Sequence, residues 1–223
     1  MSDDAPVARP ASRRIVIALA VVALLAVAFA VGRFTAFGAT AAPAAPSSTS
    51  ADAGFARDMQ VHHTQAVQMA MEIYRKTSDP ELRTLSYDIA TTQSGQRGEM
   101  FGWLVQWGLP QASSEPLMRW MASSDAHSHG DTAALSTDEL LSQMGMATDA
   151  ELDQLRTLDG QPADCLFLGL MIRHHQGAIP MAEAVIELGS DPRAKDVAGA
   201  IIAGQSAEID AMRDIQARLS CSG

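Results

Sequence analysis

The chain has 223 residues, 47% hydrophobic and only 5% aromatic, so aliphatic side chains and its 12 methionines have to fill any core. A formal net charge of −10 argues against binding of nucleic acid, which requires a basic surface. The same charge is compatible with attraction of cations or with a merely solvated acidic face. No nucleophile elbow, phosphate-binding loop or dinucleotide fingerprint is present, so the sequence favours a protein that is not an enzyme without deciding the matter.

The N-terminal region contains an apolar run of 17 residues, Ile15 to Val31, preceded by paired arginines. Its length and flanking charges predict a signal anchor over residues 15–33, with residues 1–14 in the cytoplasm. Residues 34–50 are rich in Ala, Pro, Ser and Thr and are expected to form a disordered linker. Cleavage of a signal peptide at Ala39-Thr40-Ala41 is the alternative, and it would release a secreted protein. Both interpretations place the rest of the chain outside the cytoplasm.

An internal repeat dominates the remainder of the chain, because a shift of 112 residues superposes two stretches without a gap. The superposed residues include Met59 with Met171, His62 with His174, His63 with His175, Met69 with Met181, Gln93 with Gln205 and Met100 with Met212. Ser78-Asp79-Pro80 and Ser190-Asp191-Pro192 are typical helix starts, so each unit is predicted to contain two helices. A turn this short makes the two helices antiparallel.

These elements predict an all-α fold, a four-helix bundle made of two antiparallel hairpins and a long crossover, with one N-terminal transmembrane helix. The first hairpin is expected over residues 51–110, the crossover over 111–160 and the second hairpin over 161–223. Ser136 and Thr148 each begin a capping box, so the crossover is expected to contain short helices.

The two cysteines lie near the first and the last residues of the second hairpin. Cys165 opens its first helix and Cys221 follows its second. Because the two ends of an antiparallel hairpin meet, a disulfide is favoured over two unpaired thiols.

The first helix of each unit carries a stripe of residues at alternating steps of four and three, as on the seam of a bundle. The stripe residues are Phe55, Met59, His62, Ala66 and Met69 in the first unit and Phe167, Met171, His174, Ala178 and Met181 in the second. The facing residues on the partner helices are Ile89, Gln93, Gln96 and Met100, and Ile201, Gln205, Glu208 and Met212. Burial of so many polar groups is costly unless they pair with one another or bind a ligand.

Copper is the metal that this residue set favours. Imidazole nitrogen with thioether sulfur and no obligatory thiolate suits Cu(I), or Ag(I) as its mimic, better than zinc. The candidate ligands are His62, His63, Met59, Met69, His174, His175, Met171, Met181, Met100 and Met212, with Gln205, Glu208, His127 and His129 as secondary candidates. Which histidine of each pair faces the core stays open, because adjacent side chains point about 100° apart on a helix.

Two alternatives come from other functional classes. In a structural or interaction module, the histidines would form a hydrogen-bonded core, with His62 bonded to Gln205 or Glu208 and His174 to Gln93 or Gln96. A metal-dependent redox enzyme would instead need open coordination positions and a carboxylate near the metal, for which Glu208 is the evident candidate.

The segment Met171-Ile172-Arg173-His174-His175-Gln176-Gly177-Ala178-Ile179-Pro180-Met181-Ala182 resembles the repeated motif of a bacterial family of exported domains of unknown function. The first unit matches the motif more loosely, since no glycine follows its His62-His63 pair. The resemblance covers about residues 52 to 217. It implies a four-helix bundle of the ferritin-like superfamily and an exported location. Some members of that family are periplasmic copper-binding proteins that use Met and His, so the resemblance also implies copper.

We therefore expect a membrane-anchored, extracytoplasmic protein that binds Cu(I) for sequestration or handover in copper homeostasis. The expected partners are the metal ion, the membrane through the N-terminal helix, and an unidentified protein that delivers or receives the metal.

Overall fold

The structure, a computed structural model of the chain, describes residues 11–37, 45–122 and 135–221, with side chains from residue 14 to 33 in the first range. It divides into two compact units, Met1–Ala44 and Ala45–Gly223. In the described ranges all regular structure is helical and there is no strand, as the sequence predicts.

The N-terminal unit contains helix α1, Ala11–Phe37. Its stretch Arg14–Arg33 has a mean hydropathy of 3.0 over 20 residues, which is long and apolar enough to cross a membrane. A signal sequence has the same length and composition, so α1 fits both a signal anchor and a signal peptide.

The second unit contains the remaining helices. They are α2 Ala51–Lys76, α3 Pro80–Gln106, α4 Thr137–Gln143, α5 Asp149–Thr157, α6 Gly160–Leu188 and α7 Pro192–Arg218, with a 3-10 turn at Arg119–Met121. Helices α2 and α3 form one hairpin and α6 and α7 the other, and α2 packs against α6. The all-α bundle of two hairpins with a long crossover is therefore confirmed.

The helix ends explain why the chain turns where it does. Asp79 caps α3 by accepting a hydrogen bond from the Leu82 amide, and Asp191 caps α7 by accepting one from the Arg193 amide; a proline follows each cap. Both capping boxes of the crossover also form, at the starts of α4 and α5. The prolines cannot continue the preceding helix, so each hairpin reverses within a few residues.

A disulfide closes the open end of the second hairpin. Cys165 and Cys221 are bonded, with their Cα atoms 5.4 Å apart. The bond joins the beginning of α6 to the residue that follows α7, as the hairpin geometry predicts.

The core is divided by the histidines. Buried apolar side chains form two clusters, one containing Met59 and Ala178 and the other containing Ala66 and Met171. His62 lies between Met59 and Ala66 along α2, and the equivalent His174 lies between Met171 and Ala178 along α6. The histidine pairs therefore form a polar layer across the middle of an otherwise apolar bundle.

Candidate metal centre

The first histidine of each pair lies on the seam between the two hairpins. The His62 and His174 rings stack with centroids 3.6 Å apart and planes inclined by 32°. Both side chains are fully buried. The heptad pattern brings them together because they occupy equivalent positions on antiparallel helices that cross at this level.

One face of the histidine layer is covered by the crossover. Nε2 of His62 lies 2.9 Å from the carbonyl oxygen of Met144. A carbonyl oxygen only accepts, so Nε2 carries the hydrogen and donates it, which leaves Nδ1 of the neutral ring as a bare lone pair. That Nδ1 has no hydrogen-bond partner.

The second histidine of each pair turns toward the other helix of its own hairpin. His63 Nε2 lies 2.8 Å from Oε1 of Gln96, and His175 Nε2 lies 2.7 Å from Oε2 of Glu208. These contacts occupy equivalent positions in the repeat, with an amide in the first unit where the second has a carboxylate. In both rings Nδ1 lacks a partner. A histidine whose distal N–H is bonded to a carboxylate or amide, with its other nitrogen free, has the arrangement typical of metal ligands.

Several buried polar atoms in this layer have no hydrogen-bond partner. His174 has none at either ring nitrogen, although the backbone of His62 lies near enough to favour its charged form slightly. Gln93 and Gln205 are 2% and 3% exposed, and neither their amide oxygens nor their nitrogens are paired. Each such atom costs about 1–3 kcal/mol in the folded state unless water or an ion satisfies it. The layer therefore contributes little to stability as a core, but it offers unused nitrogen and oxygen atoms to a ligand.

Burial keeps three histidines of this layer uncharged, namely His62, His63 and His174. It lowers the pKa of His62 to about 3, with the neighbouring His63 acting in the same direction. Burial also lowers the pKa of His63 to about 4 and the pKa of His174 well below its usual value. Neutral imidazole is the form that binds metals, so these rings are ready to act as ligands at neutral pH.

Each of the two apolar clusters contains candidate methionines from both repeat units. Met59, Met100 and Met181 belong to one apolar cluster, and Met69, Met171 and Met212 belong to the other. Met59 precedes His63 by four residues and Met100 follows Gln96 by four, so this pair lies one turn below the His63–Gln96 contact on both helices. Each cluster therefore combines candidate methionines from both repeat units.

A strap made of residues 144–147 lies over the junction of α2 and α6. Gln65 clamps it, because its side chain accepts from the Ala147 amide and donates to the Ala147 carbonyl. A Cβ atom on Gly177 would collide with the Met144 carbonyl, and one on Gly145 with the Arg173 carbonyl. Sequence reasoning missed the strap; Gly145 and Gly177 are its only signal, and they become informative once the helices are placed.

The ten principal candidates lie in the histidine layer and in the two apolar clusters beside it, and the structure corrects the expected bonding of the histidines. All of them are fully buried: Met59, His62, His63, Met69, Met100, Met171, His174, His175, Met181 and Met212. The expected bonds from His62 to Gln205 or Glu208 and from His174 to Gln93 or Gln96 are wrong, because the second histidines face those helices. His127 and His129 lie outside the described residues.

Within the described ranges, no group of three or more His, Cys, Asp or Glu side chains is arranged to hold one metal ion. A metal in this layer would thus need methionine sulfur among its ligands, or a shift of the stacked rings.

Residues 52–216 match the family described as a domain of unknown function (DUF305). A DUF305 protein of Streptomyces coelicolor, described as a candidate secreted protein, is 42% identical over 79% of this chain and 98% of its own, with a TM-score of 0.69. A DUF305 fragment from Deinococcus radiodurans is 29% identical over 79% of this chain and 99% of its own, with a TM-score of 0.62. No curated protein matches the chain.

A third similar structure is CopM, which has been solved in Cu(I)-bound, Ag-bound, Cu(II)-bound and apo forms. The Cu(I)-bound form is 27% identical over 75% of this chain and 96% of its own, with a TM-score of 0.55.

Proposed function

Since this chain belongs to the family described as a domain of unknown function (DUF305), we propose that it binds copper as Cu(I) in the histidine layer of its bundle and holds it for sequestration or handover outside the cytoplasm. The fold similarity to CopM, which was solved with Cu(I) and with Ag, supports a copper-related role.

The observation that carries the proposal is the state of His174. It is fully buried and neutral, and neither ring nitrogen has a hydrogen-bond partner. A histidine retained only for packing would be replaced at little cost by an apolar residue of similar volume, which would remove two unpaired atoms. A metal bound to one of these nitrogens would offset that cost.

The surrounding atoms favour Cu(I) among metals. Thioether sulfur is a soft ligand, and the six candidate methionines are all fully buried above and below the layer, three of them in each apolar cluster. Imidazole nitrogen also binds copper, so a site that combines His and Met ligands suits Cu(I). We assign one soft site to the side of Met59, Met100 and Met181 and the other to the side of Met69, Met171 and Met212.

The structural alternative explains only part of the layer. Hydrogen bonds account for Nε2 of His62, His63 and His175, but they leave His174 and the two buried glutamines without partners. No specific observation favours the redox enzyme, since Glu208 is already engaged by His175.

The N-terminal helix supports a location for this activity outside the cytoplasm. We propose that α1 acts as a signal anchor, which would tether the bundle to the outer side of the cell membrane. The alternative is a secreted bundle released by signal cleavage.

The test is an anaerobic titration with Cu(I) against a chromogenic chelator. We expect tight binding by the wild type and loss of most of it in His174→Leu, which removes no hydrogen bond in the apo protein. Met171→Leu should weaken binding, whereas Met121→Leu should not, because Met121 is equally buried but lies in the crossover turn. Absence of competition by the wild type would refute the copper proposal.

A further inference from the structure

We propose that the slot between α3 and α7 is the route by which the metal ion enters and leaves the histidine layer, with Gln96 and Glu208 at its mouth. The inference rests on the proposed function. It concerns how an ion reaches a site that has no exposed histidine atom.

Two other approaches to the layer are closed, at the strap and along the bundle axis. The strap covers the junction of α2 and α6, where Met144 accepts the hydrogen bond of His62 and packs against Gly177. Along the bundle axis, the two apolar clusters lie on either side of the layer. Apart from methionine sulfur next to the layer, the aliphatic and aromatic side chains of these clusters offer an ion little to bind.

The slot is polar, unlike the apolar clusters along the bundle axis. It has a volume of about 30 Å³, room for one or two water molecules or a bare cation, and its floor is formed by Gln93 and Gln205. Both glutamines are buried with unpartnered amide groups that line the slot. Such atoms would be satisfied by water or by an ion in passage.

Polar atoms continue from the slot to the imidazoles. Gln96 and Glu208 line the slot and contact His63 and His175 at 2.8 and 2.7 Å. The Glu208 side chain is 20% exposed, and no other charged side chain lines the slot. A carboxylate at the mouth attracts a cation, and the two contacts place it next to the imidazole that would receive it.

The mouth can be blocked without touching the site. Gly204 lines the slot, is exposed, and has nothing within 4 Å of the position that a Cβ atom would take. Gly204→Leu would therefore fill the slot while improving the local helix propensity. Gly95→Leu is the matched control, since Gly95 is an exposed helical glycine with equally open surroundings that does not line the slot.

The experiment uses the full chain in detergent, loaded with Cu(I) under anaerobic conditions and mixed with excess bathocuproine disulfonate in a stopped-flow instrument. If the slot is the route, blocking it slows uptake and release equally. We therefore expect Gly204→Leu to slow release by about tenfold or more at unchanged equilibrium affinity, and Gly95→Leu to behave as wild type.

A second measurement needs no metal. In the apo protein, exchange of the Gln93 and Gln205 side-chain amide protons with water, followed by NMR, should slow in Gly204→Leu and not in Gly95→Leu. Equal release rates for both variants and the wild type would overturn the route. So would a loss of affinity in Gly204→Leu, because it would make the slot part of the site. A wild type that binds no Cu(I) would overturn the proposed function together with the route.

Discussion

Asp52, at the start of α2, caps the far end of the second hairpin by accepting hydrogen bonds from the backbone amide and hydroxyl of Ser190, at 3.0 and 2.9 Å. It also accepts from the Asp191 amide at 3.0 Å, and it is 1% exposed. A shift of 112 residues carries Asp52 onto Asp164, whose carboxylate lies by Thr77 in the turn of the first hairpin. Each hairpin thus ties down the turn of the other.

The two aspartates are not equally satisfied, which predicts unequal effects on stability. Asp164 has one oxygen without a partner, whereas every bond of Asp52 reaches the other hairpin. We expect Asp52→Ala to lower the free energy of unfolding by about 3 kcal/mol and Asp164→Ala by about 1 kcal/mol. Urea denaturation of residues 45–223, followed by circular dichroism, measures both. Equal losses would contradict the inferred asymmetry.

The strap depends on the absence of a side chain at Gly177. Gly177→Ala would push a methyl group into the Met144 carbonyl and displace the acceptor of His62. We expect a destabilisation of about 2 kcal/mol or more by thermal unfolding, together with a changed His62 ring signal in NMR spectra.

Gly169→Ala is the control for this change, because Gly169 lies on the same helix and is exposed with open space at its Cβ position. A gain of up to about 1 kcal/mol is expected there from helix propensity alone. If both variants gained stability, the strap would be shown not to press on α6.

Asp58 should give the stability of the protein a pH dependence that runs against that of the histidines. Burial raises its pKa to about 6, although the Met118 amide and Trp120 Nε1 both donate to it. The folded state therefore holds a proton that the unfolded state has released between about pH 4 and pH 6. Ionisation of Asp58 costs stability as pH rises through this range, up to about 3 kcal/mol.

The histidines with lowered pKa values act in the opposite direction, since only the unfolded state gains their protons as pH falls. The difference in unfolding free energy between wild type and Asp58→Asn isolates the carboxyl group. We expect this difference to shift against the wild type from pH 4 to pH 7, by urea denaturation at each pH. Parallel curves would contradict a raised pKa for Asp58.

The sequence predicts the helices and the buried seam because these depend on local periodicity and on a repeat that can be read directly. The bonding of the histidines depends instead on which way each ring turns. A helix allows either direction, and contacts with Gln96, Glu208 and Met144 determine the direction that each ring takes. The repeat relates Asp52 to Asp164 and so marks both positions in the sequence. No local pattern, however, links Asp52 to residue 190 in the opposite turn.

The final prediction concerns the partners of the second histidines, where the first unit has an amide and the second has a carboxylate. A carboxylate that accepts the N–H of a histidine increases the basicity of the ring more than an amide does, and so strengthens metal binding at the other nitrogen. His175 has such a partner in Glu208, whereas the equivalent His63 has Gln96. We therefore expect the site nearer His175 to bind Cu(I) more tightly.

Exchanging the two partners tests this. Glu208→Gln should weaken the tighter Cu(I) site by about 10- to 100-fold in a competition titration, and Gln96→Glu should strengthen the weaker one. The double exchange should restore two unequal sites with their order reversed, which controls for the change in net charge. If Glu208→Gln lowered only the stability of the apo protein and left Cu(I) affinity unchanged, the His175–Glu208 contact would be structural, and the hydrogen-bonded core would be the better account of the second unit.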